Sequence, residues 1–298
     1  MDYELYHDES LEGGYWHGML LVPVLNKQEF SDLLQKARNT TRFFHKLGIK
    51  NVDSRGRIYD CASAWSQIGI ACLRSKQGKE KLSVFLGKEK GKPIVADVDL
   101  LGMKFILFRE RDSHKELNGY RDYASKVETT FRFGLKGGLH FLGSDENPIS
   151  ITKIHFDGHE HYQREIDKAR IVNRIYGLRE YCHIADSPDL IDQRRSDHND
   201  PQSQDYEDCQ FLQLTDILIG CFRTALGYRT RDIHFLLSLP IKKWLLSRYN
   251  QGYARMKPSR WFNSFVLSQC YLKGNGEWKF ERVERKSNEE EQLALPFL

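Results

Sequence analysis

The chain has 298 residues, a length that suits one large α/β domain with insertions or two small domains. Hydrophobic residues make up 40% and charged residues 29% of the sequence, so a sizeable core can form and wholesale disorder is excluded. The net charge of +4 is too small to indicate a binding partner by itself.

Sequence features of membrane insertion, secretion and disulfide bonding are missing. The apolar runs fall far short of the ~20 residues that cross a bilayer, and the first residues lack the basic and apolar regions of a signal peptide. The six cysteines include no Cys-x-x-Cys pair, which argues against a zinc ribbon or a disulfide framework. We therefore expect a soluble cytoplasmic protein without a membrane partner.

The first third of the chain predicts a hairpin, two helices and an exposed flap. Gly13 and Gly14 separate two apolar strands, and Asn26 can cap the helix that follows. A lysine- and glycine-rich stretch surrounds a short apolar run, which predicts an exposed hairpin or flap. The predicted elements are strands 3–8 and 15–24, helices 26–37 and 62–73, and the flap at about 75–92.

Strands and helices alternate from residue 94 onward, which favours an α/β sheet with parallel strand pairs. The run at 103–108 is almost wholly apolar, as in a strand buried on both faces, and Ser113 with Glu116 forms a capping box for the next helix. The predicted elements are strands 103–108, 149–157 and 181–185, helices 113–131, 162–175 and 209–226, and a hairpin of strands 261–272 and 277–283.

These patterns divide the chain into three parts. Residues 1–226 are predicted to form the main domain, with the flap at about 75–92 and an acidic loop at about 186–208 as insertions. Residues 227–285 are predicted to form a basic helical and hairpin extension, which is either a separate lobe or a continuation of the main sheet. Residues 286–298 form a tail.

Three aspartates lie where the local pattern would not place an acid. Asp8 ends one apolar strand, and Asp157 ends another. Asp216 lies inside a helical segment that is apolar nearly all round, which indicates a buried helix. A buried carboxylate is costly unless it is paired, protonated or bound to a cation. An internal ion pair with Arg223 is the structural alternative for Asp216.

These positions predict a shared metal site. Strand ends are where α/β sheets place their chemistry, so two strand-end aspartates and one from a packed helix can converge within ~4–5 Å. Carboxylates that close require cations between them, and oxygen ligands select Mg²⁺ or Mn²⁺. A pair of such ions suits phosphodiester hydrolysis. Glu9 is a candidate fourth ligand, provided that a bend or bulge near Ser10 turns it toward Asp8.

Residues 6–10, which read Tyr-His-Asp-Glu-Ser, resemble the opening of an uncharacterised bacterial family with an RNase H-like fold. In that family a first strand ends in Asp-Glu-Ser, an aspartate-ended strand follows much later, and the last helix reads Gln-x-x-Asp. The corresponding segments here are 151–157 and 213–216, and residues 183–187 resemble the strand before the last helix.

The resemblance spans roughly residues 3–226 through short motifs that keep the family's order. The chain departs from the family by an acidic insertion after Ser187 and by a C-terminal extension that carries none of its motifs. The resemblance implies an RNase H-like mixed sheet flanked by helices, and metal-dependent nuclease or strand-transfer chemistry.

Residues 155–161 are dense in candidate ligands. His155 shares a strand face with Asp157, and His155, His159 and His161 are candidates for contacting a phosphate or for acid–base chemistry. A zinc site would need further ligands at defined spacing. Structural or surface histidines are the alternative.

Residues 241–260 form a basic stretch without an acid, interleaved with aromatic residues. Such a stretch suits phosphate backbones and stacked bases, and a solvated helix face is the alternative. The lysine-rich flap would assist in gripping the backbone. The candidate nucleic-acid-binding residues are Lys242, Lys243, Arg248, Arg255, Lys257 and Arg260.

The C-terminal tail ends in an apolar cluster that resembles the peptide by which bacterial DNA enzymes bind the replication sliding clamp. Docking of the tail on its own domain is the alternative. The residues that carry the resemblance are Gln292, Leu293, Leu295 and Phe297.

The leading hypothesis is a Mg²⁺- or Mn²⁺-dependent phosphodiesterase that acts on DNA or RNA through two metal ions. The alternative is an RNase H-like module that binds nucleic acid or a protein partner without cutting. A small-molecule hydrolase with the same metals is a third interpretation, and it is less favoured because it gives the basic stretches no role in substrate binding.

Overall fold

A computed structural model of the chain describes residues 1–74, 82–98, 102–111, 120, 122–143, 148–157, 167–176, 178, 183–193, 196, 198–228, 231–250 and 264–281. The α-helices are α1 (Lys27–Thr41), α2 (Arg57–Arg74), α3 (Tyr123–Leu142), α4 (Lys168–Tyr176), α5 (Tyr206–Ala225) and α6 (Asp232–Asn250). The strands are β1 (Asp2–Ser10), β2 (Tyr15–Pro23), β3 (Leu82–Glu89), β4 (Lys92–Val98), β5 (Lys104–Glu110), β6 (Ser150–Phe156), β7 (His183–Asp192), β8 (Phe265–Leu272) and β9 (Trp278–Glu281). Two short 3₁₀ turns lie at Val24–Asn26 and Ile49–Asn51.

Seven of these strands form one mixed sheet in the order β7-β6-β1-β2-β5-β8-β9. The central strand β1 pairs antiparallel with β2 on one side and parallel with β6 on the other. Strand β8 pairs parallel with β5, so the C-terminal strands extend the main sheet and do not form a separate lobe. Strands β3 and β4 form a separate hairpin whose inner face packs on α1 and α2.

Helices cover both faces of the sheet, which confirms the predicted α/β architecture with a mixed sheet. Helices α1, α2, α5 and α6 share one core with the hairpin, and α3 and α4 share the other. Glycines set the distance of α3 from the sheet, because a Cβ atom at Gly134 would lie 2.7 Å from Met19 and one at Gly138 would collide with Ile106. None of the described helices combines the length and apolar character of a membrane span.

Two predicted boundaries are wrong for identifiable reasons. Helix α3 begins at Tyr123, where the Asp122 side chain caps it by accepting a hydrogen bond from the Ser125 amide at 2.7 Å. The expected capping box at Ser113 lies outside the described residues. Strand β7 continues to Asp192 through a segment predicted as acidic loop, because pairing with β6 and burial of Leu190 outweigh its composition.

Candidate metal centre

Adjacent parallel strands bring Asp8 and Asp157 to the same edge of the sheet. His7 is the register partner of Phe156, and the Asp157 amide donates to the His7 carbonyl at 3.3 Å. The Tyr6 ring stacks on the His155 ring with centroids 4.5 Å apart, which places the even residues of β1 on the same face as the odd residues of β6. The Asp8 and Asp157 side chains, two residues further along each strand, therefore share that face.

Helix α5 places Asp216 over this edge by packing against β2 at a glycine. Gly18 is the cross-strand partner of Asp8, and a Cβ atom there would lie 2.5 Å from Ile219. The missing side chain at Gly18 thus lets α5 approach the sheet beside Asp8. Since Asp216 precedes Ile219 by three residues on the helix, its carboxylate faces the same region.

All three aspartates are partly exposed residues although most of their neighbours are buried. Along α5, every residue from Cys209 to Ala225 is buried except Asp216. Asp8 is likewise partly exposed, and the Asp157 side chain is 24% exposed. The three aspartates are therefore open to an ion from solution, but their oxygens do not all lie within 4.8 Å of one another, so the predicted convergence within ~4–5 Å is not reached among the described residues.

The aspartates act on one another electrostatically. Burial raises the pKa of Asp8 well above its ordinary value, and the negative charges of Asp216 and Asp157 raise it further. Burial also raises the pKa of Asp216, which the Ile49 amide, Lys50 and Arg223 partly offset. The pocket thus favours either protons or added cations.

One lysine lies beside this group, and the buried arginine of α5 is engaged elsewhere. The Lys46 ammonium is 3.7 Å from an Asp157 oxygen, and its side chain is 49% exposed. The Arg223 guanidinium donates to the Glu12 carboxylate and, at 2.7 Å, to the Ser10 hydroxyl. The alternative in which Arg223 forms an ion pair with Asp216 is therefore not what the structure contains.

The segment after α1, residues 43–52, lies over the site and is called the covering loop. The side-chain amide oxygen (Oε1) of Gln213 accepts from the Leu47 backbone amide at 2.6 Å and from the Arg38 guanidinium at 2.8 Å. The Asp216 carboxylate accepts from the Ile49 amide at 2.7 Å. The Gln-x-x-Asp motif of α5 thus holds this loop as well as presenting the aspartate.

Glu9 is placed on the opposite face, which corrects its prediction as a fourth ligand. Its carboxylate accepts from the Tyr15 hydroxyl at 2.5 Å and from the Tyr123 hydroxyl at 3.1 Å, below α3. The bend that would have turned it does not form, since β1 and β2 stay in register as far as Ser10 and Trp16. Strand alternation therefore separates Glu9 from Asp8.

His155 is fully buried, so the structure places it away from any phosphate in solution. It belongs to a second group with Glu4 and Asp208, whose ligand atoms lie within 4.8 Å of one another. The Lys27 ammonium stands between the two carboxylates, 2.6 Å from each, and the Tyr6 hydroxyl lies within hydrogen-bond distance of both, at 2.8 Å from Glu4 and 2.7 Å from Asp208. The lysine already supplies the cation of this group, which pins the start of α5 to β1.

The sequence contained a signal for this second group. Glu4 is a single carboxylate inside an apolar strand, the same anomaly that singled out the other acids. Asp208 reads as an ordinary acid of a first helical turn, which is why it was passed over. His159 and His161 lie outside the described residues.

The predicted basic surface is only partly described, and one of its members is buried. Lys242 is 5% exposed, with its ammonium 4.7 Å from the Phe235 ring centroid, so it is not a surface phosphate contact. Lys243 is exposed. The Arg248 side chain and the residues Arg255, Lys257, Arg260, Gln292, Leu293, Leu295 and Phe297 lie outside the described part.

A second acid-free basic stretch does lie at the site, and sequence analysis missed it. Residues 33–52 contain no acid and include the covering loop. The criterion applied to residues 241–260 would have found this stretch too. Its basic residues are Lys36, Arg38, Arg42, Lys46 and Lys50.

The donor set of the main site is made of oxygens, which fits a hard divalent ion and not a zinc ion held by nitrogen or sulfur. Comparison of the chain with protein-family models, with curated proteins and with solved structures found no match. Function is therefore argued from the site.

Proposed function

We propose that the chain is a Mg²⁺- or Mn²⁺-dependent nuclease with an RNase H-like fold, in which Asp8, Asp157 and Asp216 hold the metal. One observation carries the proposal: three separate elements direct partly exposed aspartates toward one edge of the sheet, where burial and the charges of Asp216 and Asp157 raise the pKa of Asp8. The order of these elements supports the fold assignment. A strand that ends in Asp-Glu-Ser lies beside an aspartate-ended parallel strand, and the Gln-x-x-Asp helix crosses both.

The charge balance of the pocket explains why a cation is required. Three carboxylates face two exposed lysines of the covering loop, Lys46 at Asp157 and Lys50 near Asp216, and Arg223 is engaged by Glu12, so the site carries more negative than positive charge. Asp8 and Asp216 receive hydrogen bonds only from backbone amides among the described contacts, at 2.8 Å from Glu9 and 2.7 Å from Ile49. Ions bound there would activate a water molecule and stabilise the leaving oxygen of a phosphodiester.

The remaining groups of the site would orient the substrate. Lys46 reaches the pocket from solvent, so its ammonium can contact a phosphate beside Asp157. Gln213 fixes the loop that carries Lys46 through the Leu47 amide. DNA and RNA substrates are distinguished by the cleavage assay that follows.

The test is cleavage by the Asp157→Asn variant. Because the amide has nearly the same shape but no charge, we expect metal-dependent cleavage of labelled single-stranded, duplex and hybrid substrates to fall by about 100-fold or more. Asp189→Asn, an exposed aspartate on the neighbouring strand β7, is the matched control and should cleave as the wild type does. Thermal unfolding establishes that both variants are folded.

Unchanged metal-dependent cleavage by Asp157→Asn would overturn the assignment. Metal-independent binding without turnover by the wild type would instead identify the non-catalytic RNase H-like module. Calorimetric titration with Mn²⁺ provides the second readout, because Asp157→Asn should also lose heat of binding that Asp189→Asn retains.

A further inference from the structure

A cleft of about 710 Å³ lies between the end of α1, the start of α2 and the β3–β4 hairpin. Its walls come from residues 39–42, from Asp60, Ser63 and Ala64, from residues 85–90, and from Ile94. Glycine shapes this contact, because a Cβ atom at Gly87 would lie 2.8 Å from the Thr40 side chain. The cleft is thus a built feature of the packing of the hairpin on α1.

Three exposed cations line the cleft. Arg42, Lys88 and Lys90 have no carboxylate at ion-pair distance in the part of the chain that the structure describes. Asp60 and Glu89 also line it, so the charge of the walls is positive by one unit. Unpaired cations in a concave surface favour an anionic ligand.

The cleft adjoins the carboxylate site through the covering loop. Arg42 ends α1 in the left-handed conformation, with a φ of 56°, and the covering loop begins at the next residue. The same loop carries Lys46 and Lys50 to Asp157 and Asp216. A row of cations therefore leads from the cleft to the carboxylates.

Exposed aromatic rings accompany these cations. Phe85 lines the cleft and is 41% exposed, and Phe44 on the covering loop is 44% exposed. An exposed aromatic ring offers a face on which a base can stack. Only an unpaired strand has base faces free for such stacking.

We propose that this cleft binds a single-stranded segment of nucleic acid and leads it across the covering loop to the carboxylates. Phe85 stacks on a base, while Arg42, Lys88 and Lys90 contact phosphates. The assignment deepens the proposed function and rests on it for the destination of the strand.

The test measures binding apart from cleavage, by fluorescence anisotropy of a labelled single-stranded oligonucleotide in EDTA. Phe85→Ala should weaken binding by about tenfold. Lys88→Gln should weaken it and lower the slope of log K against log salt by about 0.7. Val95→Ala and Lys92→Gln are matched controls, because both residues are exposed on the same hairpin but do not line the cleft.

The inference would be overturned if Phe85→Ala and Lys88→Gln bound with wild-type affinity, or if the controls lost affinity equally. It would also be overturned if duplex bound more tightly than single strand, or if polyglutamate displaced the oligonucleotide. These outcomes differ from a failure of the proposed function, which would show as cleavage that is absent from the wild type or unaffected by Asp157→Asn. The binding of the variants is compared only when their melting temperatures match that of the wild type. Substitutions at exposed residues should preserve the melting temperature.

Discussion

Asp8 is the residue at which burial and charge conflict most directly. Its raised pKa means that the folded protein holds a proton on this carboxyl at pH values where the unfolded chain has lost it. The metal-free protein therefore loses stability as pH rises from the ordinary pKa of an aspartate through the folded pKa of Asp8.

Asp8→Asn should remove that loss. In EDTA at neutral pH, we expect the variant to melt a few degrees above the wild type, at about 2–4 °C per kcal/mol, and to match it in acid. The Asn carbonyl can still accept the bond from the Glu9 amide. Thermal unfolding across pH measures this effect, and Asp189→Asn serves as the control. A variant that melts below the wild type at neutral pH would contradict the prediction.

Saturating Mn²⁺ should reverse the ranking of these two proteins. An ion at 100 times its dissociation constant stabilises the protein that binds it by about 2.7 kcal/mol. The wild type should gain this stability, whereas Asp8→Asn should gain much less. Melting curves with and without Mn²⁺ make the comparison, and equal gains would show that Asp8 is not a ligand.

Lys46 should matter for cleavage and hardly for stability. Its side chain is half exposed, and surface ion pairs contribute about 0–1 kcal/mol to the free energy of unfolding. We expect Lys46→Ala to keep its melting temperature and to lower cleavage by about tenfold through lost phosphate contact. Lys136→Ala, an exposed lysine of α3 on the other face of the sheet, is the control. Full activity of Lys46→Ala would remove the proposed contact.

At the scale of elements, the approach of the covering loop to α5 depends on a glycine. A Cβ atom at Gly220 would collide with the Ile49 side chain, whereas one at Gly274 has open space around it. Gly220→Ala should therefore lower the free energy of unfolding by about 1–3 kcal/mol, and Gly274→Ala should not. Denaturant titration measures both, and hydrogen exchange of the Ile49 amide reports loosening of the loop. Equal stabilities would contradict this packing.

The Lys27 ammonium is the second anchor of α5. Lys27→Met leaves the Glu4 and Asp208 carboxylates without the cation between them, so we expect a loss of about 3 kcal/mol. The exposed pair of Lys273 with Glu277 provides the control, because Lys273→Met should cost less than about 1 kcal/mol. Denaturant unfolding distinguishes these values. A small loss at Lys27 would show that Lys153, which lies 3.2 Å from Glu4, compensates.

The strands were predictable where the sequence follows one hydrophobic periodicity, whereas the ends of helices and strands were harder to predict. β1, β2 and β5 follow from apolar runs bounded by turns. The start of α3 was misplaced because two capping signals compete, and Asp122 is the one in use within the described residues. The end of β7 depends on pairing with β6, and local composition carries no information about such long-range pairing.

At the scale of the whole molecule, the C-terminal extension and the main domain share one core. The Phe222 ring of α5 stacks on the Phe265 ring of β8 at 4.4 Å, and Trp244 of α6 packs against both. We therefore expect a single unfolding transition, with far-UV circular dichroism and tryptophan fluorescence changing together. An earlier transition that affects only residues 231–281 would contradict this, and fluorescence of a Trp244→Phe variant would identify it.

The placement of the three aspartates at one edge of the sheet was predictable because each acid interrupts an apolar pattern whose geometry is known, but their approach to within ~4–5 Å of one another was predicted wrongly. The covering loop was not, because it reaches the site through contacts of Gln213 and Asp216 with residues far away in the chain. Glu9 was misassigned since its placement depends on a bulge, and a bulge has no dependable local signal.

The bond between the Asp216 carboxylate and the Ile49 amide has a thermodynamic consequence. The same carboxylate would serve both an ion and the loop, so occupancy of one biases the order of the other. Such linkage is reciprocal. If a bound ion changes the affinity for a strand held by the loop by some factor, the bound strand changes the affinity for the ion by the same factor. Metal loading and strand capture would thus report on each other.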